Sequence, residues 1–131
     1  MKEKTVDEIL REEFLKERAV VLGRTGESVA KAVVKLQRMA QVIEDNHQYM
    51  RSIEDRLCGD PNHGDLKKAK EKALKDINKM ILQYNRLWDH AQLRYYYLIV
   101  TREAMGLRSH HRVEEIYRIP PKKKQFPRDR E

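Results

Sequence analysis

The sequence predicts an all-α fold: a long antiparallel helical hairpin of residues 25–58 and 65–106. An N-terminal helix and a short C-terminal helix pack on it, and self-association completes the bundle. Three observations predict this. Residues 66–105 contain no glycine or proline and carry a continuous helical apolar stripe, which gives one helix of ~60 Å at 1.5 Å per residue. The 131 residues are 37% charged with only five glycines and four prolines, a balance that suits long solvated helices better than sheets. Between the two longest helical patterns lies one strong punctuation mark, Cys58-Gly59-Asp60-Pro61-Asn62-His63-Gly64-Asp65. A loop that short forces its flanking helices antiparallel.

Thr5-Val6-Asp7-Glu8 has the form of a capping box opening a first helix, which should run to about Leu22. Ile9, Leu10, Phe14, Ala19 and Leu22 share its apolar stripe, while Glu12, Glu13, Lys16 and Glu17 face solvent. Gly23 is placed to end that helix and Thr25 or Ser28 to cap the next, so a turn or kink is expected at 23–26.

From Val29 to Leu57 the apolar positions alternate three and four apart, interrupted only by Asn46. A polar residue at a core position is expected to set register or oligomeric state at some cost in stability. Val33, Ala40 and His47 flank this seam, so a third helix or a second chain should cover them. Asp65 is expected to cap the long helix. Ala73, Ile77, Met80, Tyr84, Leu87 and Ala91 form one seam of it, and Leu74, Ile81, Trp88 and Tyr95 a neighbouring one.

With the loop centre near residue 61, Val29 should lie near Leu93, leaving Leu98–Met105 to be covered by helix 1, the C-terminal segment or another chain. Gly106 closes the long helix, Ser109 is expected to cap a short one through Tyr117, and Pro120-Pro121 ends it. Residues 1–118 thus read as a single helical domain and 119–131 as a flexible basic tail.

The net charge of +7 concentrates in two places. One is the start of the long helix, with Lys67, Lys68, Lys70, Lys72, Lys75 and Lys79; the other is the C-terminal end, including Lys122, Lys123, Lys124, Arg128 and Arg130. Clustered cations can neutralise nucleic-acid phosphates, although Glu71 and Asp76 interleave with the first group as in ordinary surface pairing. The aromatic residues Tyr84, Trp88 and Tyr95 share a helix face and read as core or interface anchors; Tyr96 and Tyr97 point elsewhere and could stack on bases.

Chemistry-bearing patterns are weak. Cys58, Asp60, His63 and Asp65 lack the paired spacing of a zinc site. In an EF-hand register starting at Asp60, Gly64 stands where a ligand belongs and Asp65 where glycine belongs. His47 and His90 lie out of register along the hairpin, and no Glu-x-x-His pair of a di-iron bundle occurs. His110-His111 with Arg108, Arg112, Glu114 and Glu115 is the densest ionisable cluster, but nothing promises a pocket around it. No catalytic, metal or cofactor residues are expected.

The expected function is therefore a non-enzymatic oligomerising scaffold or adaptor that presents its basic tail to a protein partner. A nucleic-acid-binding accessory protein is the alternative, and a metal-dependent enzyme a remote one. The acidic first residues and the lack of a long uncharged apolar stretch argue against a signal peptide and a membrane span. The single cysteine, Cys58, suits a cytoplasmic location.

Overall fold

The computed structural model describes Glu3–Pro127. Two long helices, α1 (Val6–Gly59) and α2 (Gly64–Ala104), pack against each other as a hairpin, followed by a short α3 (His111–Ile116). The described residues contain no strand.

The capping box at the start of α1 forms as its spacing predicts: the Glu8 amide donates to the Thr5 hydroxyl at 3.2 Å and the Thr5 amide to the Glu8 carboxylate at 3.3 Å. Asp7 and Glu8 then sit in the first turn, where the helix dipole favours negative charge.

The break expected at 23–26 is absent, and the predicted N-terminal helix is the beginning of α1. A glycine inside a helix costs only about 1 kcal/mol relative to alanine, too little to stop a helix packed along its further turns. Thr25 does not cap anything; its hydroxyl donates to the Val21 carbonyl one turn back at 2.8 Å. Gly26 is buried, and a Cβ there would lie 2.8 Å from the Tyr117 hydroxyl, whereas Gly23 is exposed and a Cβ on it meets nothing. Gly23→Ala should therefore raise stability by about 0.5–1 kcal/mol. Gly26→Ala should gain less or lose, because Tyr117 must shift. Thermal melts of the two variants check this contrast.

Two further caps differ from expectation. His63, not Asp65, caps α2: its Nδ1 accepts from the Leu66 amide at 3.2 Å, and its carbonyl accepts from the Lys67 amide. Asp65 sits in the first turn instead. Ser109 does not cap α3, which begins after His110 without a side-chain cap. The Ser109 carbonyl instead accepts from Arg102 at 2.9 Å.

The end of α2 does follow its glycine. Gly106 has φ +86°, the Leu107 amide donates to the Arg102 carbonyl and the Gly106 amide to the Glu103 carbonyl, both at 2.9 Å. That is the paired pattern of a Schellman turn.

The chain forms two compact units. Of the described residues, one comprises 34–90 with 120–127, and the other 3–33 with 91–119. In the first, Leu36, Ile43, Met50 and Ile53 of α1 and Ala73, Ile77, Ile81 and Tyr84 of α2 are buried, as the two seams predict. Lys70 faces Glu54 at 3.8 Å, two residues from the partner that a loop centre at 61 implies.

In the second unit, Val29, Val33, Leu98 and Val113 form a buried cluster, with Tyr95, Ile99, Tyr117 and Ile119 packed against it. Val29 thus meets Leu98 rather than the neighbourhood of Leu93, and both α1 and α3 cover the far end of α2.

Candidate interaction surfaces

Residues 120–127, expected to be a flexible tail, lie extended against α2 in the first unit. The Trp88 indole N–H donates to the Pro120 carbonyl at 2.7 Å and the Tyr84 hydroxyl to the Pro121 carbonyl at 2.9 Å. Two asparagines each clasp one residue of the segment from both sides. The Asn85 amide donates to the Lys123 carbonyl at 2.9 Å and accepts from its N–H at 3.0 Å. Asn78 does the same at Phe126, at 3.1 and 2.8 Å.

Side chains of the segment add specificity. The Lys122 ammonium pairs with Asp89 at 2.9 Å and lies 4.8 Å from the centroid of the Trp88 ring. Lys123 lies 5.2 Å from the centroid of Tyr84, and the Phe126 ring stacks on His47 at 5.1 Å. His47 and Trp88, on the flank and second seam predicted to need a helix or second chain, meet this segment.

The predicted aromatic anchors therefore divide. Tyr84 is buried and Trp88 half-buried, both serving the segment; Tyr95 packs in the Val29–Leu98 cluster; Tyr96 and Tyr97 are exposed. Burial pushes the Tyr84 phenol above its ordinary range, and burial with the nearby Glu114 carboxylate does the same for Tyr95.

Asn46, expected at a core position of the seam, is not fully buried. It is half-buried and its amide donates to the Val42 carbonyl of its own helix at 2.8 Å; the buried asparagine is Asn78. Asn78 and Asn85, which hold the segment, are not among the residues that the sequence pattern singles out. Their signal was present: two asparagines seven apart on a helix, bracketing Tyr84 and followed by Trp88.

The lysines of early α2 differ in exposure. Lys67, Lys68, Lys72, Lys75 and Lys79 are exposed, while Lys70 is half-buried beside Glu54. Of the C-terminal cations, Lys122 and Lys124 are exposed, Lys123 is half-buried, and Arg128 and Arg130 lie outside the described residues.

The ionisable cluster near α3 is anchored locally. Arg102 donates to His110 Nδ1 at 3.3 Å, which leaves Nε2 to donate to Glu103 at 3.2 Å. His111 lies beside Glu115 on the surface. Among the described residues no three His, Cys, Asp or Glu side chains converge as a metal site would require. None of the described helices is long and apolar enough to cross a membrane.

No family model, curated protein or solved structure matches this chain.

The second notable surface is apolar. Residues 3–17 are exposed throughout, and Val6, Leu10, Phe14 and Val21 recur at helical spacing on one side of α1 with 72%, 56%, 58% and 44% of their surface in solvent. The Arg18 guanidinium lies 5.4 Å from the Phe14 ring centroid and donates to the Met105 carbonyl. Lys4 and Glu12 pair at 2.6 Å, which holds the Glu12 carboxyl below its usual range.

Proposed function

We propose that the chain is a non-enzymatic helical scaffold that self-associates through the open apolar stripe at the start of α1. The observation that carries this reading is the exposure of Val6, Leu10, Phe14 and Val21 on one helix side. A contiguous exposed apolar patch is unusual on a monomer and is relieved by burial against another surface.

A second copy suits the stripe because its charge is graded. Asp7 and Glu8 lie at its beginning and Lys16, Arg18 and Arg24 towards its other end. Two copies laid antiparallel bring the acidic end of each against the basic end of the other, around an isologous apolar seam. The basic C-terminal segment serves a protein partner in this reading, displayed along α2 with the exposed Lys124 outward.

The experiment is the Leu10→Asp/Phe14→Asp double substitution. Light scattering should give the protomer mass for the variant and a multiple of it for the wild type. Equal masses for the two, with helical content unchanged, contradict the reading.

The exposed lysines Lys67, Lys68, Lys72, Lys75 and Lys79 favour a second reading, non-specific nucleic-acid binding. It predicts that affinity for a mixed-sequence duplex falls linearly on a log–log plot against salt, with a slope of about −0.9 per phosphate neutralised. No shift of the duplex at low salt rejects it. The exposed free thiol of Cys58 suits a reducing, cytoplasmic setting in either reading.

A further inference from the structure

We propose that the face of α2 built by Asn78, Tyr84, Asn85 and Trp88, with His47 of α1, is a recognition groove for an extended peptide of a partner protein. The peptide has the pattern Pro-Pro-Lys-Lys-x-x-aromatic, and the chain's own residues 120–126 are the groove's resident competitor. This interface uses residues different from those of the α1 stripe and does not depend on self-association.

The spacing fits a backbone reader. Asn78 and Asn85 stand two helical turns apart, about 10.5 Å along the axis. The residues they clasp, Phe126 and Lys123, are three apart, which in an extended chain is about 10 Å. Each asparagine offers one donor and one acceptor to the C=O and N–H of a single residue. Trp88 and Tyr84 supply two more donors to the carbonyls of Pro120 and Pro121, neither of which has an N–H to satisfy. Six hydrogen bonds thus go to backbone atoms of the segment, and those contacts are indifferent to side-chain identity.

Selectivity comes from three places. Asp89 and the Trp88 face take the first lysine, the Tyr84 ring takes the second, and the His47 ring takes the aromatic residue. Of the two intervening residues, both exposed, Gln125 adds only a long contact from its Nε2 to the Asn78 carbonyl at 3.4 Å.

The occupant is replaceable. Pro121, Lys122, Lys124, Gln125 and Pro127 are exposed, and only Lys123 and Phe126 of residues 121–127 are half-buried. Little apolar surface holds the segment down, so a peptide with the same backbone geometry displaces it once its concentration overcomes the effective concentration of the tethered segment. A partner's free peptide is favoured over a second copy's tail. Ile119, one residue before Pro120, is packed in the Val29–Leu98 cluster, and exchange between copies has to detach it as well.

The test uses a fluorescein-labelled synthetic peptide, Arg-Ile-Pro-Pro-Lys-Lys-Ala-Ala-Phe-Pro, and two full-length chains. One is wild type. The other carries Lys123→Pro and Phe126→Pro, which remove the two N–H groups that the asparagines accept while keeping an extended backbone. The substituted chain should bind the peptide saturably and about tenfold or more tightly than wild type, because its groove is less occupied in cis.

Adding Asn85→Ala should cost about tenfold, and a peptide with both lysines changed to Glu should not bind. A second measurement avoids the proline variants: in isotope-labelled wild type, excess unlabelled peptide should accelerate hydrogen exchange at the Lys123 and Phe126 amides and leave the Ile77 and Ile81 amides protected. The proposal is overturned by absence of saturable binding, by binding insensitive to Asn85→Ala, or by Lys123 and Phe126 exchange that ignores the peptide. A wild-type dimer that disappears when Phe126 alone is substituted also overturns it, by making a second copy the occupant.

Discussion

Tyr84→Ala should lower the unfolding free energy by about 3–5 kcal/mol, the cost of deleting a buried aromatic ring. Tyr84 is only 1% exposed, the largest side chain buried so completely among the described residues. It sits between Ile81 and Trp88 on α2, and its hydroxyl reaches out to the Pro121 carbonyl. Tyr84→Phe separates the two roles. It keeps the ring and loses one hydrogen bond, so it should cost only about 1 kcal/mol.

The same pair reports a pH dependence. The folded phenol titrates above its ordinary value of 10.0 because burial disfavours the phenolate. The folded state therefore holds its proton where the unfolded state has begun to lose it. That contribution is fully present below pH 10.0 and is lost as pH rises from there through the folded value. Lysines titrate in the same range, so the readout is the difference between wild type and Tyr84→Phe. Denaturant melts across that window should show the wild type losing stability faster than the variant. Parallel pH profiles contradict the assignment.

Leu98→Ala should cost about 2–5 kcal/mol, whereas Leu93→Ala, on the same helix, should stay within ~0.5 kcal/mol. Leu98 is 4% exposed and meets Val29 and Val33 from α1 and Val113 from α3, while Leu93 is 47% exposed. A cavity at Leu98 withdraws the contact that seats Val113, and α3 has six residues and no side-chain N-cap to hold it otherwise. Amide exchange at Glu114 and Tyr117, whose N–H groups donate to the His110 and Val113 carbonyls, should accelerate in Leu98→Ala. Equal melting of the Leu98 and Leu93 variants contradicts the placement of this core.

The features legible from the sequence are those in which a local pattern and the packing agree. The Thr5–Glu8 box, the apolar seams and the Gly106 terminus each combine a specific residue with the periodicity around it. Gly23 misled because its open surroundings signal nothing, and the reason for Gly26 is a tyrosine ninety-one positions away. His63 takes the place of Asp65 as the α2 cap because its ring nitrogen accepts the Leu66 amide, earlier in the helix than the amides Asp65 could cap.

The docked C-terminal segment was hidden for a different reason. Its lysines, prolines and glutamine have the composition of a disordered tail. It is held by side chains that grip its backbone, and backbone hydrogen-bonding capacity is the same in every sequence. Only the holders carry a sequence signal, and Asn78 and Asn85 read as ordinary polar positions until the segment is seen between them.

Sedimentation of the purified full chain over a wide dilution series, at low and high salt, tests self-association most directly. A reversible oligomer that resists high salt, and is lost in Leu10→Asp/Phe14→Asp, is the expected result, since a hydrophobic seam is little affected by ionic screening. A protomer mass at every concentration and salt contradicts it.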